Sequence, residues 1–260
     1  MSDTNAHDRA ILDYFTQQAR GFAAGPELHG PDVVRLIVDA AAPKPDDHAI
    51  DLACGPGSIV CALAETVAHA TGLDATPAML DEARALAART GRTNVTWREG
   101  DVYRVPYPDS AFEIVTCRFA FHHLIDPVAA FAEMVRLAAP GGRIVLCDGI
   151  ASSDPFKADA FNAMERWRDP STVEFRTEDY LHRLFLNAGL GEPERRTFQV
   201  PYLAKDLVAG SFPKGGDRDG LTALFEGSVE GDPLGMSAQR TPDGVKVAFP
   251  SVVFRAVKPD

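Results

Sequence analysis

The stretch Ala49-Ile50-Asp51-Leu52-Ala53-Cys54-Gly55-Pro56-Gly57-Ser58 decides the fold. It runs from a buried strand through a small-residue turn into a helix. Ile59, Val60, Leu63 and Val67 form the apolar side of that helix. A strand that turns through glycine into a helix leaves unpaired backbone N–H groups facing open space. Gly55 and Gly57 have no Cβ, so a ligand can approach the main chain closely. The competing reading is a plain strand-to-helix turn that holds nothing.

The type of ligand follows from what the loop lacks. A dinucleotide fingerprint asks for Gly-x-Gly-x-x-Gly or Ala, but the third position here is Val60. No Gly-Lys-Ser/Thr is present, which removes a P-loop. The loop instead carries an acid, Asp51. A carboxylate beside the ligand repels phosphate and suits a cation such as a sulfonium. This points from NAD towards S-adenosyl-L-methionine (SAM).

Four later stretches follow in order: Gly72-Leu-Asp74-Ala-Thr-Pro-Ala-Met79, Glu99-Gly-Asp101-Val, Pro106 through His123, and Ala139-Pro-Gly-Gly-Arg-Ile-Val. With the opening stretch they resemble class I SAM-dependent methyltransferases over roughly residues 30 to 151. The resemblance is nearest to the small-molecule branch that includes ubiquinone/menaquinone-type enzymes. It implies an α/β, Rossmann-like fold with a seven-stranded, mostly parallel sheet of order 3-2-1-4-5-7-6. Helices cover both faces and a helical cap lies over one end. One methyltransferase domain is expected over 1–260, with core 30–151 and 175–260 and cap 9–29 and 152–176. Two departures stand out. Pro56 occupies a loop position where relatives often carry Thr or Ser. No Asn-Pro-Pro-Tyr/Phe follows the fourth strand, which argues against amino methylation of DNA bases or glutamine.

Composition narrows the partners. The 260 residues are 45% hydrophobic, enough for one large α/β core. A formal charge of −11 argues against nucleic acid or an anionic membrane. No run reaches transmembrane length, and the polar N-terminus does not read as a signal peptide. Cys54, Cys61, Cys117 and Cys147 have no metal or redox spacing and read as reduced, buried residues of a cytoplasmic protein. The expected partner is a small-molecule acceptor, with the chain a monomer or homodimer and no metal.

Site candidates fall at strand ends. Asp74 closes the second strand 19 residues after Gly55, the spacing of a ribose-binding acid in a β-α-β unit. The other role for such an acid is a helix cap, but Thr76-Pro77 reads as a better one. Met79 could lie over the adenine or belong to the core. Asp101 could meet the adenine amino group, with the Val102 N–H on a ring nitrogen; an exposed turn acid is the alternative. The resemblance puts the backbone of Arg118 and Phe119 beside the methionine part of SAM. The full expected cofactor set is Asp51, Ala53, Gly55, Gly57, Asp74, Ala75, Met79, Asp101, Val102, Arg118 and Phe119.

The fourth strand ends in His122 and His123, where an open α/β sheet places its chemistry. Either histidine could act as base or orienting group, since histidine titrates near neutral pH. Two adjacent histidines without a third ligand are a poor metal signal. Residues 9–22 read as a helix with Ile11, Leu12, Phe15, Ala19 and Phe22 on one apolar stripe, and Tyr14, Phe15 and Phe22 could close over the site or pack on the core. Phe161, Met164, Trp167 and Arg168 lie in a helical insertion after the fifth strand, the kind of segment that shapes substrate pockets. Core packing competes for the first three, a solvated ion pair for Arg168. Residues 203–243 give no clear element.

The sequence therefore implies a methyltransferase acting at O, C or N of a small aromatic or polyketide-like metabolite, with S-adenosylhomocysteine as product. Two rivals share the cofactor: a methyltransferase-fold pericyclase or decarboxylase, and a non-catalytic SAM-binding partner.

Overall fold

The computed structural model describes residues 11, 12, 14–16, 18, 19 and 30–260. The described residues up to Ala19 are helical. Helix α1, Pro31–Ala41, begins with proline in its first turn and ends at Ala42 in the left-handed region. The parallel core follows: β1 His48–Leu52, α2 Ser58–Leu63, β2 His69–Asp74, α3 Pro77–Thr90, β3 Val95–Glu99 and β4 Phe112–Arg118. A short 3₁₀ turn, Phe121–His123, leads to α4 Pro127–Leu137 and β5 Ala138–Gly149. The Asp126 carboxylate caps α4 by accepting from the Ala129 N–H.

The sheet order is β3-β2-β1-β4-β5-β8-β6, with β6 Glu194–Leu203 and β8 Gly244–Val257 antiparallel at one side. This is the order the resemblance implies, with β8 in the seventh place. An eighth strand, β7 Gln239–Thr241, adds a short hairpin onto β8. The two apolar pieces at the C-terminus are one strand, because Pro250 pairs with Gln199 without ending the ladder.

Both faces of the central strands are buried, and successive side chains alternate between them. Ile114 and Val145 pack with α1 and α2, through Ile37, Ile59 and Leu63. Val115, Ile144 and Leu146 pack with α4 and α6 (Glu178–Asn187), through Phe131, Met134 and Phe185. A third cluster builds the far side of the C-terminal end. It joins α5 (Pro155–Arg168), α7 (Ala204–Ala209) and α8 (Arg218–Gly227) to Val245 and Val247 of β8. The segment 203–243 thus holds two helices and a hairpin, each too short to show a clear period in sequence. Among the described residues no helix is long and apolar enough to cross a membrane.

Candidate active site

Two adjoining regions lie at the carboxyl ends of the parallel strands. The first is the turn after β1. Gly55 has φ +51° and Gly57 has φ +80°, so both need the left-handed region. A Cβ on Gly55 would meet nothing within 4 Å, so that backbone faces open space. A Cβ on Gly57 would lie 2.5 Å from the Trp97 ring, so that glycine is required for packing. Ala53 and Phe119, just beyond β1 and β4, also adopt positive φ, at 52° and 50°. Strained backbone of this kind costs about 1–3 kcal/mol and gathers at functional sites.

Acids surround this turn. The Asp74 carboxylate accepts from the Gly55 N–H at 2.8 Å and the Thr76 N–H at 2.8 Å. It ties the loop to β2, and each oxygen keeps a lone pair for a ligand hydroxyl. Burial raises its pKa, and these two N–H groups oppose the rise. Thr76 precedes α3 but its side chain makes no cap bond, so the expected cap is corrected: Asp74 closes that turn through the Thr76 backbone. Asp51 is buried and accepts from the Thr116 hydroxyl at 2.5 Å. Desolvation pushes it up to about 7, against the Thr116 bond and the Arg118 charge. Arg118 is itself buried, with its guanidinium 5.3 Å from the centre of the Phe119 ring and 3.3 Å from Ser58 Oγ. At the end of β3, Asp101 is exposed and closes a turn onto the Tyr103 N–H at 2.9 Å. Val102 packs on the core, Ala75 is exposed, and Met79 is fully buried in α3.

This donor set suits SAM. The ligand is a zwitterion with a diol: a sulfonium and ammonium, a carboxylate and two ribose hydroxyls. The turn offers buried carboxylates, a buried guanidinium and a bare glycine backbone in one crevice.

The second region is a cavity of about 430 Å³. Phe119 lines it, and the preceding residue, Arg118, reaches Ser58 Oγ just after the glycine turn at 3.3 Å. Its walls are aromatic: Tyr14, Phe15, Phe175, Tyr202, Phe212 and Phe249. His122 and His123 both line it, as do Arg168, Asp169 and Asp206.

His122 is held from several sides. Its Nδ1 lies 2.7 Å from Asp148 Oδ1, and its backbone N–H donates to Asp148 Oδ2 at 2.9 Å. The Gly149 N–H also donates to Oδ1, at 2.8 Å. A carboxylate so engaged is an acceptor, so Nδ1 carries the proton and Nε2 keeps its lone pair. Phe175 stacks on the imidazole with centroids 4.1 Å apart and planes at 13°. Phe175 is fixed in turn by Asn162, which exchanges two hydrogen bonds with its backbone at 2.7 and 3.1 Å. Only glycine at 149 allows that ring its place, since a Cβ there would lie 2.5 Å from it.

His123 differs. Its Nδ1 lies 3.1 Å from the Ser171 carbonyl oxygen, and its ring meets Phe15 edge-on at 5.1 Å. Burial, then the neighbouring His122, lowers its pKa to about 4, so it is neutral at neutral pH. Arg168 lines the cavity but is bound bidentately by Glu165, at 2.8 and 2.7 Å, and Glu165 is fully buried. Asp169 accepts from the Ser171 N–H and hydroxyl at 2.9 and 2.5 Å. Burial pushes the Tyr14 hydroxyl well up, and Asp169 adds to this.

Of the acceptor contacts expected from sequence, Tyr14, Phe15 and Arg168 line the cavity. Phe161 and Met164 do not; they are core residues of the third cluster, and Trp167 packs against it while donating to the Lys214 carbonyl at 3.3 Å. The α5 face bearing them turns inward to α8, so their expected acceptor contact is not carried forward. Phe22 lies outside the described residues. Sequence reading missed Asp148, Phe175, Tyr202, Phe212 and Phe249. Asp148 had a signal: an acid ends β5, and β5 neighbours the strand that carries the histidines. Among the described residues no group of His, Cys, Asp or Glu is arranged to hold a metal ion.

Comparison with known proteins agrees with this architecture. Residues 50–146 match the family described as a methyltransferase domain. The chain is 26% identical over 239 residues to the uncharacterized methyltransferase YcgJ of Bacillus subtilis, covering 91% of this chain and 92% of that one. It is 31% identical over 163 residues to a demethylmenaquinone methyltransferase of Shouchella clausii, covering 55% of this chain and 69% of the relative. The crystal structure of a methyltransferase candidate from Bacillus halodurans superposes with a TM-score of 0.80 at 24% identity, over 88% of this chain and 100% of that one. With the glycine turn, the sheet order and these likenesses together, the chain belongs to the class I SAM-dependent methyltransferases, in the branch that methylates small molecules.

Proposed function

We propose that this enzyme methylates a small aromatic or polyketide-like acceptor bound in the aromatic cavity, with His122 as catalytic base. The observation that carries this is the His122–Asp148 pair, at 2.7 Å, on the wall of an aromatic cavity of about 430 Å³ that Phe119, at the end of β4, also lines. SAM supplies an activated methyl group on positively charged sulfur. The turn after β1 would hold it, with Asp74 on the ribose hydroxyls and the backbone of Gly55 at close approach. Asp51 and Arg118 would complement its charges, Asp101 and Val102 would meet the adenine, and Met79 would support the pocket from α3.

The remaining work is alignment and exclusion of water. Tyr14, Phe15 and Phe212 close the outer side of the cavity. Tyr14 meets Phe15 and Phe212 edge-on, at 5.5 and 6.4 Å, so the N-terminal helix and the loop after α7 support each other. Asp148 positions His122 and fixes its tautomer, while His123 ties the wall to Ser171. We read the whole chain as one methyltransferase domain, its cap formed by the N-terminal helix, α5, α7 and α8.

Calorimetric titration with SAM and with S-adenosylhomocysteine tests the cofactor site. Micromolar-range binding is expected, collapsing in Asp74→Ala. A screen of aromatic acceptors by mass gain then tests the cavity. Methylation of acceptors that leaves His122→Ala at full rate would remove His122 from the reaction.

A further inference from the structure

We infer that the acceptor is a neutral molecule that enters with an acidic hydroxyl protonated, a phenol or enol, and that the cavity selects against carboxylates and phosphates. This rests on the reading of the cavity as the acceptor pocket.

The inference combines a charge pattern with a hydrogen-bond pattern. Arg168 is the one guanidinium or ammonium among the cavity's described lining residues, and both its faces to Glu165 are taken at 2.7 and 2.8 Å. Glu165 is fully buried, so its charge answers that of Arg168 and leaves little for an incoming anion. The other charged lining groups are Asp169, 6% exposed, and Asp206 at the start of α7. Asp148 adds a third carboxylate directly behind His122. Burial keeps the His123 ring neutral, and the Asp148 carboxylate, 2.7 Å from His122 Nδ1, is already the counter-charge of His122. An anion entering this wall meets carboxylates without a spare cation, and the interaction is repulsive in a poorly solvated space.

A neutral hydroxyl meets the opposite situation. It can donate to His122 Nε2, the ring nitrogen left over once Nδ1 is held by Asp148. Transfer then breaks the acceptor O–H bond, forms N–H on Nε2, and leaves the electron pair on oxygen. The Asp148 carboxylate stabilises the resulting imidazolium at 2.7 Å.

Binding tests this without turnover. The probes are matched compounds on phenyl, coumarin and anthracene frames, each bare, hydroxylated, or carboxylated. They are titrated at pH 6.5 into protein saturated with S-adenosylhomocysteine, with displacement or intrinsic fluorescence as readout. At least one hydroxylated frame is expected to bind at least tenfold more tightly than its carboxylated and its bare counterparts. His122→Asn should bring the hydroxylated compound down towards the bare one. Asp206→Asn, at an exposed position, should narrow the gap to the carboxylate. Carboxylated frames binding as well as hydroxylated ones overturn the charge selection. Bare frames binding equally well overturn the hydroxyl contact and leave the cavity reading standing. If no frame binds while S-adenosylhomocysteine does, the acceptor pocket itself is misplaced and the inference falls with it.

Discussion

The two halves of the site are built by different means. The proposed cofactor half consists of turns at the ends of neighbouring strands β1, β2, β3 and β4, all from residues 51–119, and combines the bare backbone of Gly55 with the side chains of Asp51, Asp74 and Arg118. The acceptor half gathers Tyr14, His122, Phe175, Tyr202, Phe212 and Phe249 from six separate segments. Its contacts are side chains. A site made from one local stretch of chain tolerates little change in sequence. A site assembled from distant loops can be rebuilt for a new acceptor while the sheet stays intact.

The largest test of this division is His122→Ala. Loss of a positioned base lowers turnover by about 10²–10⁴-fold. SAM affinity, set by the other half, should stay within about twofold on the same division of contacts. Asp148→Asn should lower kcat with little effect on KM or on the melting temperature, and Asp148→Glu should restore part of the rate. Parallel loss of SAM binding in these variants would dissolve the boundary between the halves.

Arg168→Met probes the acceptor wall by stability. It strands the buried Glu165 carboxylate, which costs about 3–5 kcal/mol. Chemical denaturation should register that loss, and Glu165→Gln added to it should recover a good part.

The converse variant, Asp74→Ala, removes the acceptor of two loop N–H groups together with the ribose anchor. SAM binding should weaken by about 100-fold, the equivalent of roughly 2.7 kcal/mol. Calorimetry reads this directly. Binding of aromatic probes to the cavity should persist.

The halves also carry opposed pH dependences. Asp51 is raised to about 7 in the folded protein, so its stabilisation is full below about pH 4 and is lost as pH rises towards 7. Asp74 shifts in the same direction. His123 is lowered to about 4, so it contributes fully above its unfolded value near 6.5 and loses this as pH falls through 4. Each slope amounts to about 1.4 kcal/mol per pH unit at most. Between pH 4.5 and 6.5 they oppose each other. Relative to the parent protein, the melting temperature of ligand-free Asp51→Asn should rise with pH in this window, and that of His123→Gln should fall. The reverse pattern would show that other groups dominate.

The smallest expected effect is Gly55→Ala. A left-handed φ costs about 1–2 kcal/mol for alanine, and no clash adds to it. Gly57→Ala should cost more, because Trp97 stands in the way. If Gly55→Ala weakens SAM binding beyond its stability loss, the bare backbone there is a contact surface.

The contrast between the halves is also a contrast in legibility. Asp51, Gly55, Gly57 and Asp74 were legible as cofactor candidates, because a strand, a turn and a helix fix their relation within one short β-α-β segment. His122 was legible as a candidate because it follows the end of the central strand, in the 3₁₀ turn Phe121–His123. Asp148 was within reach, since β5 lies beside β4, but nothing local distinguishes it from any strand-end acid. Phe161 and Met164 shared one helix with Arg168, and periodicity did not say which face met the cavity.

Sequence by itself determined the alternating strands and helices of the core and, through the family resemblance carried by five short motifs, the sheet order and the cofactor, because those motifs are made of residues close in the chain. The tertiary structure alone decided the tautomer of His122, the pairing of Arg168 with Glu165 and the aromatic wall. The first and last of these join side chains from distant segments, and the Arg168–Glu165 pair, though local to α5, is buried only because the helices after β5 pack over the end of the sheet.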